Sequence, residues 1–432
     1  MKKITEKLFK LNENNTTIKQ EFIAGFTTFI TMAYIIFVNP QIMAQSGMDL
    51  GAIFVGTCIA ASAACIFMGL YANWPIGLAP GMGLNAFFTF TVVGEMGYSW
   101  ETALGAVFLA GILFFIISVT NLRRWMIDSI PISLRVAIGS GVGLFIGFIG
   151  LKSGGIIISN DVTYLSLGDF SEYQTILAAL GFLIISVLAV RKINGAIIIG
   201  VLIVTLIALL IGLEEYKGLL AYPPNIYPTF MKLDILGALD VAMISVIMSF
   251  LFVNLFDTTG TLLGVATRAN LIDESGNAKN LNKALAVDSS SSIFGTFFGC
   301  SPVTSYIESS AGVESGGKTG MVSVIVGLFF ILAIFLSPLA AMVPPYATSG
   351  ALVYVAVLML SSMEKLNWKN SIEILPALII IVMIPFTFSI ADGIALGFLT
   401  YVVLKVASGG IREISSGAWF LTFIFLSKFI LL

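Results

Sequence analysis

Apolar runs of about twenty residues follow one another along almost the whole of this 432-residue chain. Each run is long enough to cross the roughly 30 Å hydrocarbon core of a bilayer as an α-helix. The alternating segments that are typical of a strand barrel are not present. We therefore predict an all-α polytopic membrane protein. Its fourteen transmembrane spans are predicted at 21–40, 51–71, 76–92, 102–120, 134–157, 174–190, 194–213, 240–263, 284–299, 302–316, 319–342, 347–363, 371–389 and 391–407.

The composition supports a lipid environment. The chain is 58% hydrophobic and only 11% charged, whereas soluble domains contain about 25% charged residues. Its basic residues are scattered, which predicts no nucleic-acid partner. The absence of histidine removes the commonest metal ligand and proton shuttle. With three cysteines in no metal-binding spacing, we predict neither a metal site nor an organic cofactor.

The distribution of Lys and Arg predicts the orientation. With the amino terminus placed in the cytoplasm, all but three of the 22 basic residues fall on the cytoplasmic side. The three on the outer side are Lys152, Lys217 and Lys232. Because basic residues are enriched in cytoplasmic loops, we predict a multi-pass protein of the cytoplasmic membrane with both termini in the cytoplasm.

The two halves of the chain resemble each other weakly. FVNP at 37–40 matches FVNL at 252–255, and NGAIIIG at 194–200 matches ADGIALG at 391–397. Because each half contains an odd number of spans, seven, the second copy is inverted in the membrane. Inverted repeats are the usual architecture of a secondary transporter. We predict 7+7 inverted repeats. The predicted units are a cytoplasmic tail (1–20), a first repeat (21–213), an extracellular linker (214–239), a second repeat (240–407) and a C-terminal apolar segment (408–432).

Two predicted spans, the third and the tenth, are poor in helix formers. GLAPGMGLNAFF at 77–88 combines three glycines with Pro80 and Asn85, although Gly costs a helix interior about 1 kcal/mol and Pro about 3 relative to Ala. Its counterpart in the second repeat is GCSPVTSYIESSAG at 299–312. Non-helical backbone at membrane depth is tolerated only where it is buried or lines a cavity. Matching broken segments therefore predict a binding site, and two kinked packing helices are the alternative.

Three polar side chains lie within predicted spans, one in each broken segment and one in the eighth span. They are Asn85, Asp257 and Glu308. A carboxylate near a helix centre costs about 2.5–3.5 kcal/mol on insertion scales, so it marks a functional site by default. Carboxylates accept hydrogen bonds, and an amide both donates and accepts them. The set suits a planar ligand that carries ring N–H and C=O groups.

Other residues near these positions are less strongly indicated as site residues. Phe87, Phe88 and Phe256 could stack on a planar ring, although a phenylalanine in a membrane span is usually a packing residue. Asp288 and Glu314 lie closer to the ends of their predicted spans, so we expect both carboxylates to be solvated.

Three segments together resemble a known family. GLAPGMGLNAFF, FVNLFDTTGTLLGV and SPVTSYIESSAGVESGGKTG are similar to the signature segments of adenine–guanine–hypoxanthine permeases. These permeases form the purine branch of the nucleobase–cation symporter family, and the resemblance runs from about 20 to 410. It implies a core domain (21–120 and 240–342), a gate domain (134–213 and 347–407) and short extended strands in the third and tenth spans. Substrate-contact positions of the family match Asn85, Asp257 and Glu308.

The leading hypothesis is a transporter, not an enzyme, that imports hypoxanthine, guanine or adenine by proton symport with alternating access. Without histidine, Glu308 or Asp257 is expected to carry the proton, and sodium stays open as the coupling ion. A homodimer is the candidate assembly. The alternative is a uracil, xanthine or organic-anion carrier on the same fold, although an anion site is expected to present a cation or bare helix N-termini. A channel or an intramembrane enzyme fits the residues less well.

The interrupted third span also predicts an effect of side-chain size. We expect Gly83→Val to impair transport, because ligand or another backbone approaches closely there. Gly69→Ala in the second span is expected to be mild.

Overall fold

The computed structural model describes residues 2–120, 122, 130–272 and 278–431 of the chain. Most of these residues are helical. The α-helices are α1 (Lys2–Phe9), α2 (Ile18–Met32), α3 (Ile35–Ala44), α4 (Leu50–Phe67), α5 (Met82–Ala86), α6 (Trp100–Val119), α7 (Ile132–Ser153), α8 (Tyr173–Val190), α9 (Ala196–Leu210), α10 (Met243–Arg268), α11 (Leu281–Thr296), α12 (Ser309–Glu314), α13 (Met321–Ala333), α14 (Ser337–Met342), α15 (Pro345–Leu360), α16 (Ser371–Phe386), α17 (Ile390–Ala407) and α18 (Ser416–Leu431).

Four short strands form two antiparallel pairs. A hairpin at one end of the molecule consists of β2 (Ile157–Asn160) and β3 (Tyr164–Leu167). The other pair joins β1 (Leu78–Pro80) to β4 (Val303–Ser305), which are more than 200 residues apart in the chain. Short extended strands therefore lie in both segments for which the sequence predicted broken spans.

The described helices fit a polytopic membrane protein. Nine helical stretches in the described part of the chain are long and apolar enough to cross a membrane. They are Ile18–Ala44, Leu50–Ala72, Trp100–Val119, Ile132–Ser153, Tyr173–Val190, Met243–Arg268, Met321–Met342, Pro345–Lys365 and Ile390–Ala407. The helices α9 and α16 are apolar but shorter. The polytopic helical class is confirmed, while the count of fourteen spans stays a prediction.

Polar side chains cap several of these helices. Thr17, Asp49, Ser99, Asn370 and Ser389 each accept a hydrogen bond from a backbone N–H in the first turn of the helix that follows. Such caps satisfy N–H groups that have no partner within the helix, and replacing one by Ala costs about 0.5–2 kcal/mol. The starts of α2, α4, α6, α16 and α17 are thus set by local sequence.

The first predicted span is not one continuous helix. We predicted a single span over 21–40, but the helix is interrupted at Ala33 and Tyr34, between α2 and α3. Around the break the hydrogen bonds shorten to three-residue spacing, from the Ile36 N–H to the Ala33 carbonyl and from the Phe37 N–H to the Tyr34 carbonyl. Tyr34 at the break is fully buried, and the apolar pattern of this span did not predict the break.

The helices pack into two groups. The first helix group contains α2, α3, α4, α6 and α10 to α13, and it encloses the β1–β4 pair. The second helix group contains α7, α8, α9 and α15 to α17. The two groups meet where α7 contacts α5 and α10, where α17 contacts α10, and where α9 contacts α2. The C-terminal helix α18 packs on α17 and α10.

The two ends of the helices differ in what covers them. The long loop 211–242 lies across one end, which we call the loop face. There the Ala221 N–H donates to the Phe335 carbonyl (3.0 Å) and the Asp234 N–H to the Glu101 carbonyl (2.9 Å). The opposite end, which carries the N-terminal residues, is called the tail face.

A buried carboxylate joins two segments at the tail face. Glu21, near the start of α2, is fully buried and accepts hydrogen bonds from the Thr16 and Thr319 hydroxyls (2.8 and 2.7 Å) and from the backbone N–H groups of Lys318 and Thr319. A buried charge needs such partners, because an unpaired one is strongly disfavoured. Glu21 therefore fixes α2 to the chain that follows β4 and α12.

Candidate functional site

The β1–β4 pair satisfies its own backbone across the broken segments. Its register matches Leu78 with Ser305, Ala79 with Thr304, and Pro80 with Val303. The ladder extends at both ends, because the Gly81 N–H donates to the Pro302 carbonyl (2.9 Å) and the Tyr306 N–H donates to the Gly77 carbonyl (3.0 Å). In a lipid environment every backbone polar group needs an internal partner. The pairing therefore permits extended chain in the interior of a membrane protein.

Side chains hydrogen-bond to the backbone groups that the two-stranded ladder does not pair. The Leu78 N–H donates to Cys65 Sγ (3.1 Å), the Gly77 N–H to Ser309 Oγ (2.9 Å), and the Tyr306 hydroxyl to the Pro80 carbonyl (2.6 Å). These groups come from α4, α12 and the chain after β4. The strand pair is thus held from several sides.

Glu308 immediately precedes α12 and is half-buried. The Tyr34 hydroxyl donates a hydrogen bond of 2.6 Å to Glu308 Oε1. Tyr34 is itself fully buried, at the break between α2 and α3. A carboxylate can accept several hydrogen bonds, so the bond from Tyr34 leaves Glu308 able to accept others.

Asp257 lies on α10, beside the middle of β4. Asp257 is half-buried, and its carboxylate lies near the side chain of Thr304. It also lies close enough to Glu308 for the two carboxylates to interact electrostatically. The structure therefore brings together two of the three predicted site residues.

Asn85 lies on α5 and is fully buried. Its Nδ2 donates to Asn39 Oδ1 (2.9 Å), and Asn39 Nδ2 in turn donates to Thr57 Oγ1 (2.8 Å). The Oδ1 atom of Asn85 has no hydrogen-bond partner in the described structure. A buried acceptor without a partner costs about 1–3 kcal/mol, so this oxygen marks a place where a donor is missing.

Asn85 and Glu308 lie after opposite ends of the strand pair. Asn85 follows β1, at the end where Pro80 pairs with Val303, while Glu308 follows β4 at the opposite end. Within the described residues no hydrogen bond joins Asn85 to Asp257 or Glu308. The three residues therefore lie along the strand pair, with Asn85 and Glu308 after opposite ends of it.

Asp288 does not lie where we expected it. We predicted a solvated carboxylate, but Asp288 on α11 is fully buried and accepts hydrogen bonds from the Thr258 hydroxyl (2.8 Å) and the Ser305 hydroxyl (2.7 Å). The Thr258 and Thr304 hydroxyls are 2.9 Å apart. Distance from a span end was a poor guide, because α11 packs against α4, α6 and β4. Asp288 thus ties α11 to β4 through Ser305 and to α10 through Thr258.

Removal of Asp288 should destabilise the protein. In Asp288→Ala the buried Ser305 hydroxyl loses the acceptor to which it donates, which costs about 1–3 kcal/mol, and the Thr258 hydroxyl loses one of its partners. We expect a lower midpoint of thermal unfolding for the detergent-purified protein. Ser290→Ala on the same helix is the matched control, because its hydroxyl bonds only to the Val287 carbonyl of α11. Equal midpoints for the two variants would contradict the role given to Asp288.

The remaining candidate residues take part in aromatic packing or in a surface ion pair. Phe87 is fully buried and packs edge-on against Phe250, with ring centroids 4.9 Å apart, while Phe256 stacks on Phe252. Phe88 is also fully buried. The expectation for Glu314 is confirmed, since it is exposed and pairs with Arg268 at 3.0 Å.

Comparisons with known proteins show which family the sequence matches. The family model Xan_ur_permease, described as a permease family, matches residues 19–396. The adenine permease AdeP of Escherichia coli strain K12 is 48% identical over 425 residues, which cover 98% of this chain and 96% of that protein. The guanine/hypoxanthine permease PbuO of Bacillus subtilis strain 168 is 43% identical over 415 residues, with 94% and 96% covered.

Solved structures with a similar fold are transporters. The transmembrane domain of a cyanobacterium bicarbonate transporter, BicA, aligns with a TM-score of 0.62 at 15% identity, covering 91% of this chain and 97% of that one. The murine anion transporter Slc26a9 in its inward-facing state aligns with a TM-score of 0.65 at 13% identity, covering 94% and 72%. At these identities the likeness shows the fold alone.

Proposed function

Because the chain belongs to the Xan_ur_permease family of permeases, we propose that it imports purine nucleobases across the cytoplasmic membrane. Members of this family are transporters and not enzymes. Two relatives that share more than 40% of their residues with this chain are named for adenine and for guanine and hypoxanthine. We propose the same substrate class for this chain.

The observation that carries the proposal is the set of acceptors along the strand pair. Asn85 offers a buried carbonyl oxygen without a donor, and Asp257 and Glu308 offer carboxylates. A purine base carries ring N–H groups that would supply the missing donors. No Lys or Arg hydrogen-bonds to these three residues in the described part of the chain. That favours a neutral N–H donor over the organic-anion alternative.

We propose alternating access between two domains. The first helix group would be the core domain (21–120 and 240–342) and the second the gate domain (134–213 and 347–407), while 214–239 would be the extracellular linker between the two repeats. The packing of the helices into two groups supports this division. The antiparallel pairing of β1 with β4 supports fourteen spans arranged as 7+7 inverted repeats, because inversion places matching segments head to tail. The loop face would then be extracellular and both termini cytoplasmic.

Proton symport is the proposed coupling. Purine bases are mostly neutral, so accumulation against a gradient needs a co-transported ion. Glu308 or Asp257 would carry the proton, since the chain contains no histidine. Each neutral base that enters with one proton moves one positive charge inward, worth about 2.3 kcal/mol per 100 mV of membrane potential.

Proteoliposomes that contain the purified protein test this proposal. We expect labelled hypoxanthine to accumulate when an inward proton gradient is imposed, and a protonophore to abolish the accumulation. Unlabelled adenine and guanine should compete, whereas uracil should not. The control is a liposome with a sodium gradient and no proton gradient.

The outcomes separate substrate from coupling. Accumulation that survives the protonophore and requires sodium would overturn the proton assignment and leave the purine assignment in place. Competition by uracil alone would overturn the purine assignment.

A further inference from the structure

A cavity of about 160 Å³ opens at the loop face, between the two helix groups. It is lined by Gln45, Phe90, Ile149, Lys152, Ser153 and Phe388. We propose that this cavity is a second, outer binding site for a planar heterocyclic base. The proposal rests on the proposed function and adds a site that is separate from the strand pair. The cavity will be called the outer cavity.

Phe388 is held in the outer cavity at an unfavourable backbone conformation. Its φ of 52° lies in the left-handed region, where a bulky residue is a genuine outlier. The rings of Phe145 and Phe148 pack edge-on against it, with centroids 5.6 and 5.2 Å away. The Thr91 hydroxyl donates a hydrogen bond to its carbonyl. Strain of this kind persists only where the surroundings enforce it, and it clusters at ligand sites and switch regions.

The polar groups of the outer cavity suit the edge of a base. The Lys152 ammonium lies 5.5 Å from the centroid of the Phe388 ring and belongs to none of the ion pairs found among the described residues. Gln45 and Ser153 add an amide and a hydroxyl. Ligand sites typically combine apolar and aromatic walls with a few polar groups that fix orientation. A base stacked on Phe388 or Phe90 would present its ring nitrogens and carbonyl oxygen to these donors.

We call the boundary between the two helix groups the seam. Beside the outer cavity, hydrogen bonds close this seam. Gln41 on α3 donates from Nε2 to the Val343 carbonyl (2.6 Å) and accepts at Oε1 from the Thr348 hydroxyl of α15 (2.6 Å). The bond between Thr91 and Phe388 closes the same seam. Phe90 lies in the same segment as Asn85, five residues further along. A base in the outer cavity would therefore wait at the loop-face end of the third span until the seam opens.

Protection of an introduced thiol tests the outer site. The native thiols of Cys58, Cys65 and Cys300 are fully buried, so a membrane-impermeant maleimide added at the loop face should label Gln45→Cys. We expect saturating hypoxanthine to slow this labelling at least three-fold. Lys232→Cys, in the exposed loop, is the matched control and should show no protection.

Second substitutions separate the outer site from the strand pair. Protection of Gln45→Cys should persist when Asp257→Ala is added, because the outer cavity contains no part of α10. It should weaken several-fold with Lys152→Gln and disappear with Phe388→Ala. Lys152 is exposed, so its variant does not depend on refolding a buried site.

The results that overturn the outer site differ from those that overturn purine transport. If the Gln45→Cys protein takes up hypoxanthine but hypoxanthine does not slow maleimide labelling of the introduced thiol, the outer site alone is rejected. Loss of protection in Asp257→Ala would also reject it, because protection would then report binding at the strand pair. Absence of hypoxanthine uptake by the unaltered protein would instead reject the proposed function.

Discussion

Hypoxanthine uptake should be abolished by Asp257→Ala and by Glu308→Ala, while both variants still reach the membrane. A ligand N–H that enters the site without its acceptor loses about 1–3 kcal/mol, and more where the acceptor is charged. Glu308→Ala also leaves the fully buried Tyr34 hydroxyl without the carboxylate to which it donates at 2.6 Å. Initial uptake rates in proteoliposomes, normalised to protein content, measure the effect.

Matched variants separate this site effect from a general effect of lost charge. Glu314→Ala removes a carboxylate six residues from Glu308, but that carboxylate is exposed and pairs with Arg268. Uptake should stay close to that of the unaltered protein. Tyr34→Phe removes a single hydrogen bond and keeps Glu308, so we expect a partial loss. Normal uptake kinetics in Asp257→Ala or Glu308→Ala would remove that residue from the site.

Gly83→Val should reduce uptake nearly as strongly. A Cβ atom at Gly83 on α5 would lie 2.0 Å from Cγ1 of Val142 on α7. Valine is stiff at χ1, so neither side chain can easily turn away. The substitution would force the broken third span away from the second helix group, at a contact that the proposed alternating access requires. The same uptake assay measures the loss.

The control that the sequence suggested for this experiment is wrong. We expected Gly69→Ala to be mild, yet a Cβ atom there would lie 2.2 Å from the Gly320 carbonyl oxygen. The second span is also not regular throughout, because it ends in a π-helical turn at Met68–Ala72. Gly139→Val on α7 is the better control, since nothing lies within 4 Å of a Cβ atom at that position. Equal loss in Gly83→Val and Gly139→Val would contradict the close-approach argument.

The resemblance to purine permeases, based on three motifs, is confirmed by the family match and by relatives of 48% and 43% identity. The residues themselves predicted breaks at 77–88 and 299–312, and the resemblance implied the short strands that lie there as β1 and β4. Glycine, proline and the neighbouring polar residues weaken a helix wherever they occur, so the breaks could be predicted from the local sequence.

The supporting residues were not predictable in the same way. Tyr34 lies in an apolar run that gives no sign of the helix break beside it, and Asn39 and Thr57 are single polar residues in apolar spans. Glu21 was counted simply as part of the first span, although it is fully buried with four hydrogen bonds. Each of these side chains acquires its role from a segment that is distant in the chain or that follows a turn.

By itself, the sequence determined the helical membrane class and the interruptions of the third and tenth spans. These features depend on hydrophobic length and on helix propensity, which act over about twenty residues or fewer. Only the tertiary structure decided which polar atoms are satisfied. It pairs Glu308 with Tyr34 and Asp288 with Ser305, and among the described residues it leaves Asn85 Oδ1 without a donor. Hydrogen-bond partners and burial depend on the positions of atoms from remote segments, and no local pattern contains those positions.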